Sequence, residues 1–299
     1  IVIHGHHMHR YAGKSGSGRR QGCRQGLAFP GFHFGDHALQ QHPAAGQLGF
    51  EMPHPHGPRT RFPDEGKRPG HGLFLKPRGV ETPTQMLKRN TPDPKVLARA
   101  AEKTGVVIHG VVNASHPDLK GVIDEALIYG ATSVLHVVRA DPEGSFMANY
   151  RRTQDALRRV AEYAEKKGVY ILIENVWATF LIEPLLMARY VDEIGSPYVQ
   201  AYFDVGNVVR WGWPQHWIEV LGKRIGKIHI KEYNLKVAMK EGMGKGFAFP
   251  LGEGSIDWPR VRQELTKIDY RGWATAEVSG GDRKRLAEIS EQMDRVLDR

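Results

Sequence analysis

Four side chains of types that bind divalent cations and move protons are spread across the last two thirds of the chain: Glu174, Asp204, His229 and Glu277. Each lies at or near the C-terminal end of a short apolar run: VYILI before Glu174, VQAYF before Asp204, KIHIK around His229 and WATA before Glu277. Three carboxylates and one imidazole suit a hard or borderline divalent ion, and Mn²⁺, Mg²⁺, Co²⁺ and Zn²⁺ all fit. Each residue also has a plain structural reading. Asp204 fits a cap or turn, and His229 fits a satisfied core histidine. Glu277 divides evenly between ligand and structural residue. Glu174 ends a run where an unpaired buried carboxylate would be costly, which favours a ligand. Four strand ends in succession, each offering a ligand type, weigh the set towards one metal site.

The elements that must position these residues alternate regularly from about Thr91. Strands are expected over Val106 to Val112, Thr132 to Val138, Val169 to Ile173, Val199 to Phe203, Ile225 to Ile230 and Trp273 to Ala276. Helices are expected over Pro92 to Lys103, Asp118 to Tyr129, Met147 to Lys167, Pro184 to Ile194, Pro214 to Leu221, Pro259 to Ile268 and Arg283 to Leu297. Gly and Pro stand at their stops and starts. Near-continuous apolar strands alternating with amphipathic helices are the pattern of parallel βα units. A doubly wound sheet and a (β/α)8 TIM barrel both fit. The barrel is favoured, because its strand ends converge on one mouth where a site is built.

Composition separates the first 90 residues from the rest. The chain has 299 residues, a formal net charge of +9 and a mean hydropathy of −0.44. Residues 1–90 hold 13 Lys/Arg against 5 Asp/Glu, and ten of the 15 histidines lie at or before His71. The remaining residues are nearly neutral. The first segment is rich in His, Gly, Pro, Arg and Gln, and its apolar scraps at Ile1 to Ile3, Leu27 to Phe29 and Leu73 to Leu75 have no sustained period. It is expected to be irregular, and the first two strands of an eight-stranded barrel are not readable in it. A start at Ile rather than Met suggests a truncated or misread beginning. His4, His6, His7 and His9 offer a weak alternative as a metal-binding tract. The division expected is therefore 1–90 as an atypical segment and 91–299 as the barrel domain. Cys23 is the single cysteine, which excludes a disulfide framework and a Cys-rich zinc module. No run approaches a membrane span of about 20 apolar residues and no secretory leader is visible, so a cytoplasmic location is the default.

The stretches ILIENVW (171–177), YFDVGNVVRWGWPQHWI (202–218), LGKRIGKIHIKEY (221–233), PLGEGSIDW (250–258) and YRGWATAEV (270–278) resemble the xylose-isomerase-like TIM barrels, the sugar and sugar-phosphate isomerase/epimerase group. HGVVNASHP (109–117) and YGATSVLHVV (129–138) fit preceding strands of that fold. Single pieces are weak, but in order, with the four ligands 30, 25 and 48 residues apart, they are specific. The resemblance implies that Glu174, Asp204, His229 and Glu277 bind one divalent metal and that Glu174 and Glu277 form the acid/base pair. The implied reaction removes a proton next to a ketone and passes through an enediolate, giving epimerisation or aldose–ketose isomerisation. A small sugar or sugar phosphate is the implied partner. Candidate substrate contacts are Asn113, His116, Arg139, Trp177, Asn207 and Lys231. Lys231 and Arg139 suit a phosphate. Lys231 also fits a solvated strand end, Trp177 a core or pocket wall, and Asn113 and His116 turn positions.

Departures narrow the resemblance. Free-ketose 3-epimerases of this superfamily carry His, Arg and Glu where Asn207, Leu235 and Phe180 stand here. The apurinic-site endonucleases of the same fold need further histidines, but Asn207 and FAFPLGEG (247–254) replace them, and the positive charge lies outside the matched body. A nucleic-acid partner is therefore disfavoured. A non-catalytic or damaged barrel is the remaining alternative, because a six-stranded remnant has open edges.

Three smaller signals complete the reading. Arg151, Arg152, Arg158 and Arg159 read as a solvated helix face. Trp211, Trp213 and Trp217 divide between pocket wall, outer helix layer and a contact in a homo-oligomer. The Gly-rich segment from Asn234 to Phe249 reads as a lid or a mobile excursion.

Overall fold

The computed structural model describes residues 79–87, 92–178 and 180–297, together with the backbone of 47–49. Cys23, the His4–His9 tract and the apolar scraps at 1–3, 27–29 and 73–75 lie outside the described residues. Eight strands close into one barrel in chain order. They are β1 (Gln47–Gly49), β2 (Gly79–Pro83), β3 (Val107–Ala114), β4 (Ser133–His136), β5 (Tyr170–Glu174), β6 (Val199–Asp204), β7 (Ile225–Ile230) and β8 (Trp273–Ala276). The seven strands β2 to β8 run parallel. The three-residue β1 lies antiparallel between β2 and β8, and meets β8 through the single pair Leu48↔Ala276.

Helices α1 (Pro94–Thr104), α2 (Leu119–Tyr129), α3 (Phe146–Lys167), α4 (Pro184–Ile194) and α5 (Pro214–Leu221) each connect consecutive strands from β2 to β7. Between β7 and β8 come α6 (Leu235–Glu241) and α7 (Trp258–Lys267), and α8 (Arg283–Leu297) follows β8. Side chains set their starts. Asp118 accepts from the Gly121 N–H, Ser145 from Ala148 and Asp257 from Arg260. Each satisfies a donor that the first helical turn leaves open.

Two findings depart from the sequence-based expectation. Strands β1 and β2 lie inside the segment expected to be irregular. Strand β2 is held at its end by α2, where the buried Glu125 accepts from the Thr84 hydroxyl and from the Gln85 N–H at 3.1 Å. The Gly-rich excursion contains α6 and a 3-10 turn, Met243–Phe247. Asn234 caps α6 through the Val237 N–H, and Tyr233, fully buried, donates from its hydroxyl to the Met243 carbonyl. The segment thus carries regular structure and is anchored on Tyr233.

Strand alternation divides the molecule into two interiors. Ile171, Ile173, Ala201, Phe203, Ile228 and Ile230 join Leu157, Met187, Ile218, Val261 and Ile289 of the helices in the outer core. Inside the barrel a small apolar cluster forms from Leu135, Val137, Leu172 and Tyr202. The rest of the described barrel interior is strongly polar, holding Glu81, His109, Asp204, Lys227, His229 and Thr275, all buried.

Candidate metal centre

Register brings the four sequence-predicted ligands together. Glu174 pairs with Tyr202 across β5 and β6, and Asp204 with His229 across β6 and β7. Glu277 directly follows Ala276, the partner of Ile230. One donor atom from each of Glu174, Asp204, His229 and Glu277 lies within 4.8 Å of all the others. His229 Nδ1 is central, 2.9 Å from Glu174 Oε1, 3.4 Å from Glu277 Oε2 and 3.9 Å from Asp204 Oδ2. Asp204 Oδ2 and Glu277 Oε2 are buried without a well-aligned hydrogen bond. Their close charged neighbour is the Lys231 ammonium, 3.2 Å and 2.6 Å away. Three carboxylates and an imidazole nitrogen, with two inward oxygens short of hydrogen bonds, fit a divalent cation.

The electrostatics are those of crowded acids. Burial pushes Asp204 up to about 7, the charges of Glu277 and Glu174 add to the rise, and Lys231 and His229 oppose it. Burial also works against the ionisation of Glu277, yet Lys231 and His229 hold it down at about 2. Burial disfavours a charged His229, but hydrogen bonds to Glu174 and Glu81 and the charges of Glu277 and Glu174 keep it well above the usual histidine range. The same carboxylates keep Lys231 protonated against its burial. A cation entering this set would displace protons from it.

Of the six candidate substrate contacts, three adjoin the cluster. Lys231 touches it directly. Asn207 donates its N–H to Asp204 Oδ1 at 2.7 Å, and its Oδ1 lies 3.4 Å from Lys231 Nζ. Trp177 donates its indole N–H to the Asn207 carbonyl at 2.7 Å, and its ring packs on Phe247, 5.0 Å between centroids. Trp177 and Phe247 thus form an aromatic wall. No hydrogen bond or ion pair among the described residues ties Asn113, His116 or Arg139 to the cluster. The Asn113 amide donates to the His116 carbonyl and meets His136 Nδ1, while His116 Nδ1 accepts from the Asp118 N–H, so both hold the turn after β3. Arg139 donates to the Ser115 hydroxyl and lines a cavity of about 310 Å³ with His136 and Arg152. The tryptophan cluster divides: Trp217 packs on Phe203 in the outer core, while Trp211 and Trp213 are exposed.

Sequence reasoning missed a group inside the barrel and a latch beside it. Glu81, His109, Tyr202, Lys227 and Thr275 form a polar layer that reaches His229. Its signal was the alternation of Lys227 and His229 along β7 with Lys231 just past its end, three cationic types at every second position. Glu232, one residue further on, accepts from the Gly252 N–H at 2.7 Å and the Trp258 indole at 2.9 Å. A Cβ at Gly254 would fall on the Glu232 carboxylate, so any side chain there would displace the latch. This latch accounts for the pairing of HIKE with GEG.

The fold and this cluster define a TIM barrel with a candidate metal centre at the C-terminal ends of its strands. The family model for xylose isomerase-like TIM barrels matches residues 78–298, and the chain belongs to that family. It is similar to an inosose dehydratase of Histophilus somni (27% identical over 143 residues, 44% of this chain and 48% of the relative). It is also similar to an L-ribulose 3-epimerase of Methylomonas sp. (26% identical over 197 residues, 60% and 64%). The chain thus spans less than two thirds of the length of these curated relatives. Among solved structures, the D-allulose 3-epimerase of Methylomonas sp. superimposes with a TM-score of 0.57 at 19% identity, covering 73% of this chain and 86% of that one. Among the described residues, no helix is long and apolar enough to cross a membrane.

Proposed function

We propose that this protein is a sugar or sugar-phosphate isomerase or epimerase that removes a proton from the carbon next to a ketone, with one divalent cation, Mn²⁺ by first choice, held by Glu174, Asp204, His229 and Glu277. The convergence of those four side chains on a space less than 5 Å across carries the reading. When bound, the cation supplies Lewis-acid stabilisation of the negative charge that builds on the substrate's oxygens. Glu174 and Glu277 approach His229 Nδ1 from β5 and from the end of β8, so a substrate carbon between them meets two carboxylates. One glutamate takes the proton. Return of a proton by the other to the opposite face inverts that centre, and return to the neighbouring carbon interconverts ketose and aldose. The Lys231 ammonium donates to a substrate oxygen, and Trp177 and Phe247 cover an apolar sugar face.

A second reading shares the first step. Similarity to an inosose dehydratase favours abstraction followed by loss of a hydroxyl as water, with a glutamate as the acid for the leaving group. Incubation with ketoses, ketose phosphates and inososes in D₂O with Mn²⁺ tests both. Deuterium is expected at the carbon next to the carbonyl. Epimer or aldose formation supports the first reading, and an unsaturated product supports the second. If no member gives either exchange or an unsaturated product, both readings are overturned.

A further inference from the structure

Glu81 takes no part in those proton transfers, yet it stands directly under them. Its side chain projects from β2 into the barrel with 1% of its surface exposed. Polar side chains surround it, His109 Nδ1 at 3.6 Å from Oε1 among them. The Tyr202 hydroxyl lies 3.1 Å from Oε1, Lys227 Nζ 3.7 Å from Oε1 and His229 Nε2 3.4 Å from Oε2. Tyr202 Oη is also 3.1 Å from Thr275 Oγ1. Burial lifts the Tyr202 phenol well above its ordinary value, so it stays a donor. Lys227 is further held by the His109 carbonyl at 2.8 Å and by His109 Nδ1 at 2.7 Å. The backbone makes room for the pair: a Cβ at Gly110 would lie 2.6 Å from Glu81 Oε1 and 3.0 Å from Lys227 Nζ.

The His229 ring is therefore gripped at both nitrogens, with Nδ1 facing the cluster and Nε2 facing Glu81. An imidazole that gives one nitrogen to a cation carries its proton on the other, and a carboxylate at that proton fixes both tautomer and ring plane. A carboxylate sealed in a barrel is costly unless its partners are well placed, and these partners lead to His229.

We propose that Glu81 is a positioning residue for the metal centre: its Oε2 accepts the Nε2 proton of His229 and so presents the Nδ1 lone pair to the ion, while Lys227 and Tyr202 hold the carboxylate in place. This rests on the reading of the cluster as a cation site. Two measurements test it. Nitrogen-15 histidine spectra of the wild-type protein loaded with Zn²⁺ should show His229 protonated at Nε2 and shifted by the ion at Nδ1; a proton on Nδ1 with the ion at Nε2 overturns the proposal without any variant. Titration with Mn²⁺ should show Glu81→Ala binding about 10- to 100-fold more weakly than wild type. Glu81→Gln, which keeps an acceptor oxygen and nearly the same volume, should recover part of that loss with the Nε2 tautomer intact. Glu81→Ala binding within threefold of wild type, with an unchanged His229 signature, overturns this proposal alone. A wild-type protein that binds neither ion overturns the cation reading and this proposal with it.

Discussion

The Lys231 ammonium lies 2.6 Å from Glu277 Oε2, placing a positive side chain against a carboxylate of the candidate metal centre. Two residues earlier, on β7, His229 belongs to that centre. Lys231 therefore has two opposed effects. It neutralises Asp204 and Glu277, and it repels an incoming cation. At an effective dielectric constant of about 20, charges about 4 Å apart interact by about 4 kcal/mol, enough for both effects to be measurable. Lys231→Met should bind Mn²⁺ about tenfold more tightly while enolisation slows by about tenfold or more. Calorimetry and deuterium exchange on the same preparation check the two halves.

Cation binding should release protons and weaken in acid. His229 is held above the usual histidine range and Asp204 rises to about 7, so near neutrality both carry protons that an ion must displace. Affinity should rise with pH through neutrality and beyond it, and fall steadily in acid. Titration in buffers of different ionisation enthalpy counts the released protons. Glu174→Gln and His229→Ala should each lower affinity by about 100-fold or more at any one pH, since even outer partners of a metal ligand are worth about 10- to 100-fold.

His136 predicts an acid-sensitive fold. Burial lowers this ring to about 4, and Asn113 presents an amide N–H to its Nδ1, an arrangement for the neutral form. The unfolded chain takes up this proton near pH 6.5, before the folded one does. Stability from this site is complete above about pH 6.5 and is lost between about 6.5 and 4, by about 3 kcal/mol in all. His136→Gln should flatten that part of the stability–pH curve, measured by urea unfolding at stepped pH. A slope unchanged by the substitution would count against it.

The Glu232 latch should be worth more than its distance from the chemistry suggests. It accepts two hydrogen bonds from the segment after the 3-10 turn, the one from the Trp258 indole buried and the one from the Gly252 N–H partly so. A hydrogen bond to a charged group contributes about 1.5–3 kcal/mol. Glu232→Ala should cost about 3 kcal/mol or more in unfolding free energy and raise hydrogen exchange at Gly252. Gly254→Ala should produce a similar loss, because the new methyl displaces the same carboxylate.

From Thr91 onward the elements were legible because each carries its own local signal. Helix α4, for instance, runs from Pro184 to Ile194 as its flanking Glu183 and Gly195 predict. The four cluster residues were legible because strand ends in a barrel converge. Strand β2 was not, for a physical reason. GVETP mixes Gly, Glu and Pro, residues that are poor in isolated strands, and Glu81 is buried only because Lys227, Tyr202 and His229 meet it from strands far along the chain. Helix α6 was hidden by the glycines that follow it. Turn positions were one of the two readings of Asn113 and His116, and residue type alone does not reveal the hydrogen bonds that place them there.

Glu81 and the cluster above it come from well-separated parts of the matched region. All four candidate ligands follow residue 170, while the carboxylate under His229 belongs to the first parallel strand. A fragment starting after Pro83 would keep every ligand but lose the carboxylate that meets both His229 Nε2 and Lys227. Such a fragment would look complete in a motif search and fail as a binder, because the foundation of the site is written some ninety residues ahead of its first visible letter.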